Sequence, residues 1–190
     1  EAFQDESFFT EACFERLLHG LSCRRYCFGL EPVGSGVEAY GTAKSSISRR
    51  FAALASKALE ELLTRPLKGE HYLVLMLDGV VMGDYTVVVA LGITAEGEKR
   101  ILGLWEGATE NAVVCRSLLE DLVARGLEVS QGMLVVIDGS KALRVAVRDV
   151  LGQAAIVQRC QVHKKRNVLE HLPEKERKAV GRKLDQAWRE

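Results

Sequence analysis

The chain has 190 residues, 47% of them apolar, and a formal net charge of zero. That length and composition allow one packed core of ordinary size with an appendage, and exclude a disordered tail. Its five cysteines are scattered and odd in number, which argues for reduced thiols and against a disulfide framework.

No basic stretch followed by an apolar run opens the chain, and the longest apolar stretches, Tyr72–Leu77 and Tyr85–Ile93, reach only strand length. The expectation is therefore an intracellular, soluble protein without a membrane partner. The zero net charge conceals an uneven distribution. Residues 1–23 carry −4, 24–66 carry +3, 67–158 carry −4 and 159–190 carry +5. Basic segments beside an acidic centre suit phosphate backbone and divalent cations, although solvated helix faces give similar local counts.

Along the chain, Ala12, Cys13, Leu17, Leu18 and Leu21 recur at helical spacing between Thr10 and Leu21. A loop with Gly29, Pro32, Gly34, Gly36 and Gly41 follows. A second helix is then predicted from Ser45 to Leu63, with Ile47, Phe51, Leu54, Ala55, Ala58, Leu59 and Leu62 on one face. Cys23 and Cys27 stand four apart with no second pair at zinc spacing, so packing is their expected role. Arg65-Pro66 stops the helix and places a boundary near Leu67.

Beyond that boundary the period changes. His71–Leu77, Tyr85–Ile93 and Arg100–Trp105 read as three strands in an antiparallel meander, separated by Gly83-Asp84 and by a turn at Gly97. Thr109–Arg125 has helical spacing and closes at Gly126, where glycine suits a left-handed cap. Met133–Ile137 is an unbroken apolar run of the type expected in a strand buried on both faces. A helix from Ser140 to Leu151, a strand at Ala155–Gln158 and a basic helical stretch from His163 onward complete the order. That last stretch is broken at Pro173 and keeps its helical pattern through Leu184, Ala187 and Trp188, as a helix that has not yet closed. Meander, helix, strand, helix, strand is the order of a ribonuclease-H-like α/β fold, a mixed sheet flanked by helices, although other α/β layers share it.

Two acids stand out. Asp78 follows the run Tyr72–Leu77 and Asp138 follows Met133–Ile137, and each precedes a glycine. Asp-Gly is also a common turn dipeptide. If the two strands are neighbours, both carboxylates emerge at one sheet end, where a pair of hard oxygen ligands can hold Mg2+ or Mn2+ for phosphoryl transfer.

The segments Leu77-Asp78-Gly79, Gly103-Leu104-Trp105 with Glu110, Val136-Ile137-Asp138-Gly139 and the block Val157-Gln158-Arg159-Cys160-Gln161-Val162-His163-Lys164-Lys165-Arg166-Asn167-Val168 closely resemble the Mutator-type transposases of bacterial insertion sequences. The likeness runs from about Arg65 to Trp188. It implies a ribonuclease-H-like catalytic core with an Asp-Asp-Glu triad that holds two Mg2+ or Mn2+ ions. The first Asp falls on Asp78 and the second on Asp138. The Glu of the family lies beyond a helical insertion, past Glu190, so none of Glu170, Glu174, Glu176 and Asp185 is assigned to it. The expectation is a truncated chain, inactive on its own.

The same resemblance gives Cys160 and His163 an active-site supporting role and makes Lys164, Lys165 and Arg166 phosphate contacts. Upstream, Tyr40-Gly41-Thr42-Ala43-Lys44-Ser45-Ser46-Ile47-Ser48-Arg49-Arg50 resembles the family's helix-turn-helix segment, with Ser45, Ser46, Ser48, Arg49 and Arg50 suited to DNA. Three parts are implied: a DNA-binding segment over 1–66, an incomplete catalytic core over 67–160 and the start of an insertion over 161–190. The partners implied are duplex DNA, both element ends and target, and further copies of the complete protein. The implied location is the bacterial cytoplasm, at the nucleoid. A DNA-binding regulator derived from a transposase and a metal-dependent nuclease of the same fold are the alternatives.

Overall fold

The computed structural model describes residues 6–26, 43–107 and 112–189. The Gly-rich loop with Gly29, Pro32, Gly34, Gly36 and Gly41, together with Cys27, Tyr40, Thr42 and Glu110, lies outside them. The chain divides into two compact units, Glu1–Glu61 and Leu62–Glu190.

In the first unit, α1 (Glu6–Leu18) packs against α2 (Lys44–Thr64). Cys13, Tyr26 and Ile47 form a small buried cluster edged by Leu17, Leu21 and Cys23, and the Phe14 and Phe51 rings meet at 5.4 Å. The apolar stripe of α2 buries only its first member, Ile47, and Leu59 stays 40% exposed.

The second unit is a five-stranded mixed sheet, in the order β3-β2-β1-β4-β5, with helices. Its strands are β1 (Tyr72–Met82), β2 (Tyr85–Thr94), β3 (Lys99–Gly107), β4 (Met133–Ile137) and β5 (Ala155–Arg159). Between and after them come α3 (Ala112–Ala124), α4 (Lys141–Leu151), α5 (Gln161–Glu170) and α6 (Glu174–Ala187). β1 to β3 form the antiparallel meander, whereas β4 lies parallel to both β1 and β5. This is the ribonuclease-H-like arrangement, preceded by a helical segment.

One core fills the space between the sheet and the pair α3 and α4. Leu75, Leu77, Val88, Ala90, Leu102, Met133, Val135 and Ile137 meet Cys115, Leu118, Leu119 and Leu122 of α3 and Leu143, Ala146, Val147 and Leu151 of α4. On α4 those four residues recur at helical spacing, and the Ser140 hydroxyl caps the first turn by accepting from Leu143 N at 3.3 Å, a contribution of about 1 kcal/mol.

Two features depart from the sequence reading. β1 does not end before Asp78: it continues through Asp78 and Gly79 to Met82, because β2 pairs with it all the way to Met82↔Tyr85. The turn lies at Gly83-Asp84, where the sequence reading put it, and Gly83 takes φ +63° as a glycine-first hairpin loop requires. β4 is buried on one face only. Met133, Val135 and Ile137 face the core while Leu134 is 38% exposed, because α3 and α4 both pack on the same side. α6 runs to Ala187, and the Trp188 N–H still bonds the Leu184 carbonyl at 3.2 Å in the helical i→i−4 pattern.

α3 ends as the Gly126 signal suggests, with Gly126 at φ +100° and Leu127 N bonded to Leu122 O at 3.0 Å. A Cβ at Gly126 would stand 3.0 Å from the Lys68 backbone nitrogen and 3.2 Å from its Cα. Gly126→Ala therefore combines a disfavoured φ with a collision against backbone, which cannot rotate away. The expected loss is about 2 to 3 kcal/mol, measured by urea unfolding; a loss below half of that would show that this joint is soft.

Candidate active site

The parallel pairing of β1 and β4 sets the site. Leu77 is registered with Ile137, so Asp78 and Asp138 each follow a paired residue of two neighbouring strands, and strands so paired run roughly 4.8 Å apart. Leu77 and Ile137 point into the core. Asp78, one residue on, lies on the other face by strand alternation, and its side chain is 52% exposed. Here β4 ends while β1 goes on pairing with β2, so the Asp138 turn sits against the edge of a continuing strand.

Each carboxylate has a protein partner. Asp138 Oδ1 accepts from Ser140 N at 2.7 Å, closing a small turn that leads into the capped start of α4. Gly139, between them, has φ +105°, a conformation glycine adopts at no steric cost. Asp78 Oδ1 lies 3.8 Å from His163 Nε2 of α5. The other His163 nitrogen, Nδ1, is buried without a hydrogen-bond partner among the described residues.

α5 is brought to this end of the sheet by its first residues. Cys160 N donates to the Ile137 carbonyl at 2.7 Å, continuing the β4–β5 ladder by one bond, and Cys160 then serves as N-cap of α5. The helix therefore starts beside the end of β4, which carries His163 to Asp78. The sequence spacing Cys-x-x-His thus has a geometric meaning: one residue holds the helix start and the other, three later, faces Asp78 within β1.

The sequence-selected residues do not all converge. Lys164 and Arg166 are exposed on α5. Lys165 is engaged: its Nζ contacts both oxygens of Asp185 on α6 at 2.6 Å, joining the two basic helices. In the first unit, Ser45, Ser48 and Arg49 are exposed and Ser46 and Arg50 partly buried near the start of α2, with Arg49 Nε bonded to the Ser45 carbonyl at 3.3 Å. The turn before them, Tyr40–Thr42, lies outside the described residues.

Two polar residues with no role assigned from sequence also reach the site. Arg159, at the end of β5, donates from Nε to the Asp138 carbonyl at 3.4 Å. Asn167, two turns into α5, meets the same guanidinium. Only the parallel pairing Ile137↔Arg159 brings Arg159 beside Asp138, 21 residues earlier in the chain.

In donor chemistry, Asp78 and Asp138 fit a divalent cation that prefers hard oxygens, Mg2+ or Mn2+. Among the described residues, no group of three or more His, Cys, Asp or Glu side chains converges to hold a metal ion. Two carboxylates alone would supply only part of the coordination shell of such an ion.

Residues 4–190 match the family described as transposase, Mutator family. Among relatives, the chain is 33% identical over 163 residues to the transposase for insertion sequence element IS6120 of Mycolicibacterium smegmatis, covering 82% of this chain and 48% of that protein. It is 35% identical over 135 residues to the transposase for insertion sequence element ISRM5 of Rhizobium meliloti (strain 1021), covering 69% of this chain and 33% of that one. The chain thus spans between a third and a half of the length of these relatives. A chain in the cryoEM structure of a simian T-cell lymphotropic virus intasome in complex with PP2A regulatory subunit B56 gamma is similar at 12% identity and a TM-score of 0.30, over 87% of this chain and 63% of that one.

Proposed function

Because the chain belongs to the Mutator family of transposases, we propose that it contributes two carboxylates, Asp78 and Asp138, to a metal-dependent centre that cuts and joins DNA during transposition of an insertion element. The observation that carries this reading is the parallel register Leu77↔Ile137, which makes the two acids neighbours.

Mg2+ or Mn2+ held by Asp78 and Asp138 would supply the positive charge needed to activate a water or DNA 3′-hydroxyl and to stabilise the leaving oxygen. The chain's residues do the rest. Asp78 and Asp138 hold the cations, the Ser140 N–H keeps one Asp138 oxygen in a fixed direction, and His163 orients Asp78. Cys160 supports the site through the start of α5. Duplex DNA is the partner, both as element ends and as target, and further copies of the protein assemble on it.

Lys164, Lys165 and Arg166 on α5 and Ser45, Ser46, Ser48, Arg49 and Arg50 on α2 are the proposed DNA contacts. Lys165, already paired with Asp185, contributes least of the three on α5. Replacing Arg49, Arg50, Lys164 and Arg166 together by Ala should weaken duplex binding across all sequences and flatten its salt dependence. The slope of log affinity against log salt falls by about 0.9 for each phosphate contact removed. An unchanged slope in fluorescence anisotropy would remove these residues from the interface. The catalytic proposal is tested by strand cleavage at element ends with the complete coding sequence that contains these residues, comparing Asp78→Asn and Asp138→Asn.

A further inference from the structure

We propose that Arg159 and Asn167 are positioning residues that fix the direction of the Asp138 carboxylate and tie it to the helix facing Asp78. The proposal rests on the metal-centre reading above and concerns what holds that centre in shape.

The guanidinium of Arg159 lies against the Asp138-Gly139 turn. Its Nε donates to the Asp138 carbonyl at 3.4 Å. A Cβ at Gly139 would stand 2.5 Å from Arg159 Nε and 2.8 Å from its Cζ, so the guanidinium occupies the space that any side chain at 139 would need. With the Asn167 amide oriented so that its oxygen faces Arg159, Oδ1 accepts from Nη2 at 2.6 Å and Nδ2 donates to the His163 carbonyl at 3.2 Å.

These contacts form one polar path: Asp138 carbonyl, Arg159, Asn167, the backbone of His163, and the imidazole of His163 facing Asp78 at 3.8 Å. The Asp138 turn is thus held from two sides. Ser140 and the N-cap of α4 hold it on one, and Arg159 with Asn167 hold it on the other. A turn pinned at one side alone could pivot about that attachment. Pinned at both, it presents its carboxylate in one direction, which is what a cation of strict coordination geometry demands.

Charge alone makes the opposite prediction. Arg159 places a positive group beside a cation site, so removing it would raise divalent affinity if its only influence were electrostatic. Positioning requires that affinity fall.

The test is Mn2+ titration of the purified chain, read by paramagnetic broadening of the Gly79, Gly139 and Ser140 amide resonances, with circular dichroism as a check on folding. Arg159→Met and Asn167→Leu should each weaken Mn2+ binding about tenfold. The double variant should be no weaker than Arg159→Met, because both act along one path. Arg159→Lys, which keeps the charge but cannot bridge Asp138 and Asn167, should also fail to restore binding. Where Arg159→Met does not fold, Asn167→Leu decides. Unchanged or tighter binding in folded Arg159→Met or Asn167→Leu, with binding lost in Asp138→Asn, overturns the positioning role alone. Broadening that survives in Asp138→Asn overturns the metal-centre reading as well.

Discussion

Asparagine at position 78 or at position 138 is expected to reduce metal-dependent strand cleavage by on the order of a thousandfold while leaving the fold and duplex binding in place. Each substitution is nearly isosteric and removes one negative charge from a cation site. The charge stabilisation that a held cation gives a transferring phosphoryl group is worth several kcal/mol, which converts to roughly three orders of magnitude in rate. Stability should change little. Asp78 is half exposed and Asp138 partly so, and after Asp138→Asn the new amide oxygen can still accept from Ser140 N. Neither acid belongs to the buried core. The measurement is cleavage of DNA carrying the element ends, with Mn2+ beside Mg2+. Cleavage within tenfold of the unaltered protein in both variants would sink the assignment of these acids.

Arg125→Met is expected to cost about 3 to 5 kcal/mol, the largest stability loss of any single substitution considered, and roughly 10 °C in Tm. The Arg125 side chain, 9% exposed, pairs with Asp121 at 2.9 Å. Its two terminal nitrogens donate to the carbonyls of Leu62 and Arg65 at 3.2 Å and of Leu102 at 2.7 Å. One side chain thus ties Leu62 and Arg65, in the segment leading into the sheet, and Leu102 of β3 to the last turn of α3. Leu67 N, bonded to the Arg125 carbonyl at 2.8 Å, adds a backbone tie at the same place. Met would fill most of the volume but leave Asp121 without its partner and three carbonyls without donors, each costing about 1 to 3 kcal/mol where water cannot replace the bond. Arg125→Lys should recover less than half, because a single ammonium cannot span four acceptors. Chemical denaturation measures both, and a loss under about 1 kcal/mol for Met would show that water takes over these bonds.

Several elements were legible from residue order alone. Strand β4 was read with the bounds the structure gives it, because five consecutive apolar residues between turn signals leave little choice. The Gly126 terminator worked locally, through hydrogen bonds and a φ value confined to a few residues. The block from Gln158 to Val168, with Asp78 and Asp138, sufficed to name the family. Where sequence reasoning misplaced a boundary, the cause lay across the sheet. Asp78-Gly79 carries the composition of a turn, but the ladder to β2 continues past it and holds both residues in strand. Likewise, the composition of β4 suggested burial on both faces, whereas α3 and α4 cover one.

Sequence determined the family and which periods make helices and strands, since those depend on side-chain type and near neighbours. Tertiary structure decided which of them meet. Nothing in the order of residues states that β1 and β4 run parallel in the register Leu77↔Ile137, nor that β5 brings Arg159 against the Asp138 turn, nor that Lys165 is taken up by Asp185. Those pairings join residues 20 to 60 positions apart. Forming them offsets the loop entropy lost only when the whole core closes at once, so their partners are chosen by the packed fold and not by local sequence.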